Sequence, residues 1–230
     1  MGRMSPFLNI DAGESEDEPD ALYSYAHRVN VACGGHAGDE ASMQHVVALC
    51  IESGTALGAH PSYADRPGFG RVSVAIAPEA LAASVTEQVR ALARVAASLG
   101  ARVTSMKPHG ALYHDANRDR ALAEAVLRGA VEALGEGVLV IGPPTGFLRE
   151  VANARGLRFA REVFADRGVR DGALIPRGEP GALIDDPDEA SENARALLAQ
   201  GNFETICVHG DTPRAVEIAR AVRATLELPR

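Results

Sequence analysis

The chain has 230 residues, of which 46% are hydrophobic, and its formal net charge is −8 at pH 7. This length and composition predict a single domain over residues 1–230 with one sizeable core. The acidic balance argues against nucleic acid or an anionic membrane as a partner, because neither is attracted to a negative surface. The three cysteines form no disulfide or zinc motif, and no apolar run is long enough to span a membrane. We therefore expect a cytoplasmic protein that binds small molecules or other proteins.

A similar pattern recurs at four places along the chain: a short apolar strand followed by a histidine. The four predicted strands cover residues 29–32, 55–59, 102–106 and 205–208. The histidines that follow them are His36, His60, His109 and His209. One histidine after a strand is usually structural, but four in the same phase indicate a shared site.

Carboxylates and a lysine also follow the ends of predicted strands. The strand over 7–10 contains Asn9 and leads into Asp11 and Glu14, two carboxylates separated by a flexible turn. The acidic run over 15–20 that follows is expected to be a solvated loop without a functional role. Lys107 comes directly after the strand over 102–106. These residues would emerge where a strand gives way to a loop.

The turn after the second strand runs from Asn30 to Asp39 and contains paired glycines, which let the backbone approach a ligand closely. Asp39 is the predicted N-cap of a helix that ends at Gly54. The predicted core face of this helix consists of Met43, Val46, Val47, Cys50 and Ile51. The loop after the third strand contains Arg71 and is long enough to form a lid.

The rest of the chain continues the alternation of strands and helices. Two more strands are predicted over 138–141 and 157–162. Helices are predicted over 78–100, 117–134, 145–155 and 186–201, and a last helix is predicted to be capped by Thr212 and Pro213. The longest irregular region covers 163–185. Its Asp166, Arg167 and Arg177 are either scattered surface residues or a site for a carboxylate or phosphate.

Seven predicted strands, most of them followed by a helix, indicate an α/β protein with a parallel sheet. An open, doubly wound sheet competes with a closed, TIM-like (β/α)7 barrel. Polar residues follow strands one, two, three, four, six and seven, and only a closed ring brings so many strand ends to one point. The barrel is therefore the predicted fold.

Several motifs in this order carry a family resemblance: residues 8–14, 30–39, 58–61, 68–71, 107–113 and 207–213. Across nearly its whole length, the chain resembles the lactam-utilisation (LamB/YcsF) family. The resemblance implies a (β/α)7 barrel related to the polysaccharide deacetylase fold. It also implies ATP-dependent hydrolysis of 5-oxoproline (pyroglutamate) to L-glutamate, with ATP and Mg²⁺ as cofactors. Two further 5-oxoprolinase subunits, B and C, are the implied partners.

The residues themselves indicate how such chemistry would work. Opening a neutral lactam requires activation of its carbonyl group and delivery of water. The candidate catalytic residues are Asp11, Glu14, His36, His60, Lys107 and His109. Carboxylates and imidazoles of this kind supply general acid and base catalysis worth about 10²- to 10⁴-fold. Lys107 would stabilise an oxyanion or a phosphoryl group, so we expect it to serve chemistry more than packing. The expected substrate-binding residues are Asn9, Asn30, Asp39, Arg71, Arg167, His209 and Asp211.

Two other functions compete with this interpretation. Asp11, His36 and His60 would suit a divalent transition metal such as zinc, nickel or iron in a metal-dependent amide hydrolase or deacetylase. The positive charge of Lys107 and a reaction driven by ATP argue against an obligatory ion, but the spacing leaves the question open. The other alternative is a non-catalytic scaffold that binds a carboxylated metabolite. The chain contains no standard nucleotide-binding loop, so ATP binds either unconventionally or on a partner.

Overall fold

The computed structural model describes residues 6–170 and 173–228. Within these residues, seven parallel strands close into a barrel that is surrounded by helices. The barrel strands are β1 (Phe7–Ala12), β2 (Arg28–Ala32), β3 (Ala56–His60), β4 (Val103–Met106), β5 (Leu139–Gly142), β6 (Arg158–Phe164) and β9 (Thr205–His209). Their spatial order follows the chain, and β9 closes the ring by pairing with both β1 and β6. The predicted closed barrel of seven strands is confirmed.

Seven α-helices and one short hairpin accompany the barrel in the described part of the chain. The helices are α1 (Glu40–Ser53), α2 (Pro78–Ser98), α3 (Gly110–Arg118), α4 (Arg120–Leu134), α5 (Phe147–Ala154), α6 (Pro187–Gln200) and α7 (Ala215–Glu227). The hairpin pairs β7 (Val169–Arg170) with β8 (Ala173–Leu174), and a 3-10 helix covers Asp20–Tyr25. Among the described residues, no helix combines the length and apolarity needed to cross a membrane.

Helix α1 begins and ends where the sequence predicts. The Asp39 carboxylate accepts a hydrogen bond from the Ser42 backbone, and Gly54 ends the helix with a φ of 70°. Four of the five predicted core residues are buried, but Ile51 is 48% exposed. The prediction for Ile51 is wrong because this residue lies beyond the edge of the stripe that faces the barrel.

The helix predicted over 117–134 is in fact two helices, and the first begins much earlier. Helix α3 starts directly after His109. Asp119, which has an extended backbone conformation, separates α3 from α4. The Asp119 carboxylate accepts hydrogen bonds from the first turn of α4, so it caps that helix. The sequence suggested a loop here because Pro108 and Gly110 precede and open α3.

The caps of the last two helices differ in how well the sequence predicts them. The Asp186 carboxylate accepts hydrogen bonds from the backbone of Asp188 and Glu189, as expected for the N-cap of α6. The predicted cap of α7 at Thr212 and Pro213 is wrong. Helix α7 begins at Ala215, and the Thr212 hydroxyl donates to Asp166 instead, at 2.7 Å.

The segment over 163–185 is less irregular than predicted. Its first residues extend β6 to Phe164, and it carries the β7–β8 hairpin; positions 171 and 172 lie outside the described residues. The Arg167 guanidinium donates to the carbonyl oxygens of Ala182 and Ile175, at 3.0 and 2.6 Å. These bonds link separate parts of the segment to one another at the barrel mouth.

The interior of the barrel is polar, and the main apolar core lies between the sheet and the helices. Successive side chains of a strand point to opposite faces. In β1, Leu8 and Ile10 are fully buried in the hydrophobic core, whereas Asn9 and Asp11 form hydrogen bonds with residues of other strands inside the barrel. This alternation places a group of polar side chains beneath the carboxyl ends of the strands.

Candidate functional site

A cavity of about 530 Å³ opens at the carboxyl ends of the barrel strands. Eight of the residues predicted for the site line it: Asp11, Glu14, His60, Arg71, Lys107, His109, Arg167 and His209. Five others are not part of its lining: Asn9, Asn30, His36, Asp39 and Asp211. Asp39 is the exposed N-cap of α1. Asn30, His36 and Asp211 form hydrogen bonds with residues that line the cavity, and Asn9 bonds to Asn30.

Lys107 lies at the bottom of the cavity and is 2% exposed. Its ammonium group is 2.9 Å from both oxygens of Asp11 and 2.9 Å from Glu162, and it also donates to the Cys207 sulfur. Burial alone would lower the pKa of Lys107, but the charges around it, led by Asp11, hold that pKa well above its ordinary value. All three ammonium hydrogens therefore have acceptors, and the lysine stays charged.

Asp11 is held in place from below by the two asparagines that the sequence suggested for substrate binding. The Asn30 amide donates to Asp11 at 2.9 Å and to the Asn9 carbonyl oxygen at 2.7 Å, and the Asn9 amide donates to Glu162 at 3.0 Å. Burial raises the pKa of Asp11, but His60 and Lys107 outweigh it and keep that pKa well below its ordinary value. Asp11 is therefore a fixed, ionised carboxylate.

Three of the predicted histidines surround the carboxylate of Glu14. Its Oε1 atom lies 2.9 Å from His36 Nε2, 3.1 Å from His109 Nδ1 and 3.6 Å from His60 Nε2. His36 lies behind this group, with its ring stacked on that of His109 at a centroid distance of 3.6 Å. We call Glu14, His36, His60 and His109 the imidazole cluster.

Backbone carbonyl groups determine the tautomers of two of these rings. His60 Nδ1 lies 2.8 Å from the Lys107 carbonyl oxygen, and His109 Nε2 lies 3.0 Å from that of Phe69. A carbonyl oxygen only accepts, so we assign a proton to each of these ring nitrogens. Phe69 has a φ of 53°, a strained conformation for a residue other than glycine. The carbonyl group that orients His109 thus belongs to a residue with a strained backbone.

Charges within the imidazole cluster are unevenly distributed. Burial lowers the pKa of His36 to about 4, and burial also lowers the pKa of His109. Burial opposes protonation of His60 as well, but Asp11 outweighs it and raises the pKa of His60. The pKa of Glu14 is raised by burial, but hydrogen bonds with His109 and His36 bring it well below its ordinary value. The cluster thus combines an ionised Glu14 with a proton that is best held by His60.

His209 forms a second acid–base pair, with Asp166. His209 Nδ1 lies 3.0 Å from the Asp166 carboxylate, which also accepts from the His209 backbone and the Thr212 hydroxyl. Burial raises the pKa of Asp166, but His209 outweighs this effect, so the net pKa is lowered. An ionised Asp166 holds the proton on Nδ1 and leaves Nε2, which is 4.0 Å from Asp11, as an acceptor.

Arginines form the rim of the cavity. Arg71 and Arg177 both donate to the Asp211 carboxylate, at 2.6 and 2.9 Å. The Arg71 guanidinium also lies over the ring of Phe69, 4.6 Å from its centroid. One carboxylate therefore balances two guanidinium groups, and the rim keeps a surplus of positive charge for an anionic ligand.

Sequence reasoning missed two carboxylates of the site, Glu162 and Glu18. Glu162 lies within β6, and its position in the sequence is that of an ordinary strand residue. Glu18 belongs to the run expected to be a solvated loop, but its carboxylate accepts from the backbone of Gly13 and Glu14, at 2.8 and 3.2 Å. Burial raises the pKa of Glu18 to about 7. No sequence pattern distinguishes Glu18 from its exposed acidic neighbours.

Two groups of side chains have ligand atoms close enough to hold a metal ion. One is the imidazole cluster, and the other consists of Asp11, Cys207 and His209; in each group the ligand atoms lie within 4.8 Å of one another. The ligand set suggested by the sequence was Asp11, His36 and His60. The structure divides that set between the two groups.

The comparisons with known proteins agree with this architecture. The LamB/YcsF family model matches residues 7–229. The 5-oxoprolinase A subunit from Azoarcus sp. (strain BH72) is 41% identical, with 95% of this chain and 92% of that protein aligned. The corresponding 5-oxoprolinase protein from Streptomyces avermitilis is 42% identical, with 96% of this chain and 95% of that protein aligned.

A solved structure shares the fold over almost the whole chain. The lactam utilization protein from Thermus thermophilus superposes with a TM-score of 0.88 and 36% sequence identity. The alignment covers 97% of this chain and 96% of that protein. With the family model matched over nearly its full length, this chain belongs to the LamB/YcsF family.

Proposed function

We propose that this chain is the ring-opening subunit of an ATP-dependent 5-oxoprolinase, which hydrolyses 5-oxoproline to L-glutamate. The observation that carries the proposal is the cavity, where an oriented imidazole base, a proton-bearing cluster and a cationic rim face one space. The names of the relatives support it, since proteins named as the A subunit of 5-oxoprolinase align over nearly the whole chain. The cavity volume of about 530 Å³ is typical of a site for a small molecule.

His209 is the proposed general base. Its Nδ1 proton is held by Asp166, so Nε2 can accept a proton from a water molecule in the cavity. The sequence pattern favours a substrate-binding role for His209, but its pairing with a buried carboxylate is the arrangement that orients a histidine base. The water oxygen then attacks the lactam carbonyl carbon.

The imidazole cluster is the proposed electrophilic side of the site. Attack by water places negative charge on the lactam oxygen, and the proton shared between His60 and His109 stabilises that charge. The ring C–N bond then breaks, and the nitrogen takes up the proton that His209 removed from water. The new carboxyl group loses the second proton of that water, which completes glutamate. Lys107 has acceptors for all three of its hydrogens, so its proposed role is to keep Asp11 ionised and in place.

The rim provides recognition of the substrate carboxylate. Arg71 and Arg177 share a single partner, Asp211, and therefore retain the capacity to bind a second anion. ATP is assigned to the two partner subunits, B and C, because the chain contains none of the standard nucleotide-binding loops. Closure by these partners would exclude water until the lactam is activated.

Reconstitution tests this proposal directly. Glutamate and ADP would be measured for the purified chain alone, for the two partner subunits alone and for all three together with 5-oxoproline, ATP and Mg²⁺. Coupled release of both products is expected only from the complete set. Full coupled activity from this chain alone would contradict the assignment of ATP to the partners, and no activity from the complete set would contradict the function.

Two other functions make different predictions in the same assay. A metal-dependent amide hydrolase would open an amide or lactam without ATP, and the convergence of the imidazole cluster is the observation that favours it. A non-catalytic scaffold would bind the lactam but would not need a base. Replacing His209 with glutamine would then leave the activity of the complete set unchanged.

A further inference from the structure

The two ring nitrogens that do not bond to carbonyl groups face each other in the imidazole cluster. His60 Nε2 and His109 Nδ1 lie 3.0 Å apart, and the opposite nitrogen of each ring donates to a backbone carbonyl. Two lone pairs at this distance repel unless a cation lies between them. The cation is either one proton or a metal ion.

Glu14 adds a third donor atom and a buried negative charge. Its carboxylate is 5% exposed, and its side-chain contacts within the described residues are the three imidazoles rather than a lysine or arginine. Lys107 is already engaged with Asp11 and Glu162. A buried carboxylate requires positive charge close to it, and a divalent ion in place of the single proton between the rings would supply more of that charge.

We infer that Glu14 Oε1, His60 Nε2 and His109 Nδ1 form a binding site for one divalent transition-metal ion. Bonds of 2.0–2.1 Å in tetrahedral geometry would place ligand atoms roughly 3.3 Å apart. The three distances here are 3.0, 3.1 and 3.6 Å. Two imidazoles and one carboxylate suit zinc and neighbouring first-row metals. All three ligand residues also line the cavity, so a fourth coordination position would face it.

The surroundings of the three ligands are those of a metal site. Metal-binding histidines usually donate their other ring proton to a carbonyl or carboxylate, as His60 and His109 do. His36 Nδ1 has no hydrogen-bond partner in the described part of the chain, so we place its proton on Nε2, which donates to Glu14. His36 is therefore a positioning residue that orients the carboxylate and is not itself a ligand.

The second group of potential ligands is a poorer site. Lys107 donates to both Asp11 and Cys207, and its ammonium charge therefore sits among the atoms that would bind the ion. A metal there would have to displace that charge. The imidazole cluster contains no ammonium or guanidinium group.

The test is metal binding by the full chain, which needs neither ATP nor the partner subunits. After chelation and dialysis, Zn²⁺ is titrated by calorimetry, and Co²⁺ is added to record the visible spectrum of the bound ion. We expect one ion per chain, a tetrahedral-type Co²⁺ spectrum and release of a proton from the cluster. The same titrations are repeated with Glu14→Gln, His60→Gln and His109→Gln.

Each ligand substitution should weaken Zn²⁺ binding by more than about 100-fold, whereas His36→Gln should weaken it by about 10- to 100-fold. His45→Gln is the matched control, because His45 is exposed and its ring contacts the equally exposed Asp20; the variant should bind Zn²⁺ like the unaltered chain. Circular dichroism and thermal unfolding establish that each variant is folded. For a variant that fails to fold, NMR of the ring protons in the unaltered chain replaces it: Zn²⁺ should shift the His60 and His109 signals and leave that of His45 unchanged.

Several results would overturn the inference. They are the absence of saturable Zn²⁺ or Co²⁺ binding by the unaltered chain, binding that survives Glu14→Gln and His109→Gln, and binding that is lost only in Cys207→Ser. None of these results depends on lactam turnover. A failed reconstitution and a missing metal site are therefore separate outcomes.

Discussion

The Lys107 ammonium and the Glu162 carboxylate lie 2.9 Å apart inside the barrel, and their side chains are 3% and 0% exposed. Lys107 follows β4, and Glu162 belongs to β6, so the ion pair spans the intervening strand β5. Together with Asp11, this pair joins three separate parts of the barrel wall. The lysine that the sequence suggested for chemistry is thus also a structural residue.

Replacing Lys107 with methionine should strongly destabilise the protein. The substitution leaves Asp11 and Glu162 buried without their cation, and breaking a buried pair in this way costs about 3–5 kcal/mol. Urea unfolding monitored by circular dichroism measures the change. Arg90→Met is the control, since Arg90 and Glu132 form an exposed pair worth about 0–1 kcal/mol. A loss below about 1 kcal/mol for Lys107→Met would show that the pair does not hold the barrel together.

Disrupting the His209–Asp166 pair should reduce turnover. His209→Gln removes the proposed base, and Asp166→Asn presents an amide that no longer fixes the histidine tautomer. We expect each to lower kcat of the reconstituted enzyme by about 10²- to 10⁴-fold. His45→Gln serves as the control, because that histidine lies on the surface. Turnover within about threefold of the unaltered enzyme in His209→Gln would exclude this residue as the base.

Glu18→Gln should change how stability depends on pH. Burial raises the pKa of Glu18 to about 7 in the folded state, above its ordinary value of 4.5 in the unfolded chain. The folded state therefore binds more protons between these values, and stability falls as the pH rises through this window. The variant should lack this fall and be more stable above pH 7, by at most about 3 kcal/mol.

The measurement for Glu18 is the free energy of unfolding in urea at intervals from pH 4 to pH 9. The informative quantity is the difference between the unaltered chain and the variant, which cancels other titrating groups. Asp17→Asn is a suitable control, because Asp17 is exposed and belongs to the same acidic run. A constant difference across the range would mean that Glu18 does not titrate differently in the two states.

Arg177→Ala should weaken substrate binding without destabilising the fold. Arg177 is bonded to Asp211 at the rim, and a hydrogen bond to a charged group contributes about 1.5–3 kcal/mol. We expect KM for the lactam to rise by about 10- to 100-fold while kcat changes little. Arg170→Ala is the matched control, since Arg170 lies in the same segment and pairs with Glu179. An equal effect of both substitutions would indicate a loss of loop structure rather than of recognition.

The parts of the site that the sequence could predict are those fixed by position along a strand. His60, Lys107 and His109 lie at or just after the ends of strands, and a closed barrel brings all such residues to one end. Their equivalent positions relative to the strands can be recognised in the sequence. Helix α3 could not be predicted, because Pro108 and Gly110 are residues typical of loops. Tertiary packing makes the segment helical.

Side-chain contacts that form only when the barrel closes cannot be predicted from the sequence. Glu162 looks like any strand residue until the ring places it against Lys107. Glu18 sits in an acidic run, and its burial follows from the path of the chain over Gly13 and Glu14. The tautomers of His60 and His109 likewise depend on carbonyl groups distant in sequence. Such relationships are non-local, and a linear pattern carries no signal for them.

Strand β9 closes the barrel from the far end of the chain, because it pairs with both β1 and β6. During synthesis, β1 and β6 keep unpaired edges until residues 205–209 have left the ribosome. Exposed strand edges promote aggregation, and contacts between distant residues slow folding. Cys207 and His209 also arrive with that last strand. We therefore expect the nascent chain to need protection by chaperones, and a chain truncated before β9 to be lost to proteolysis.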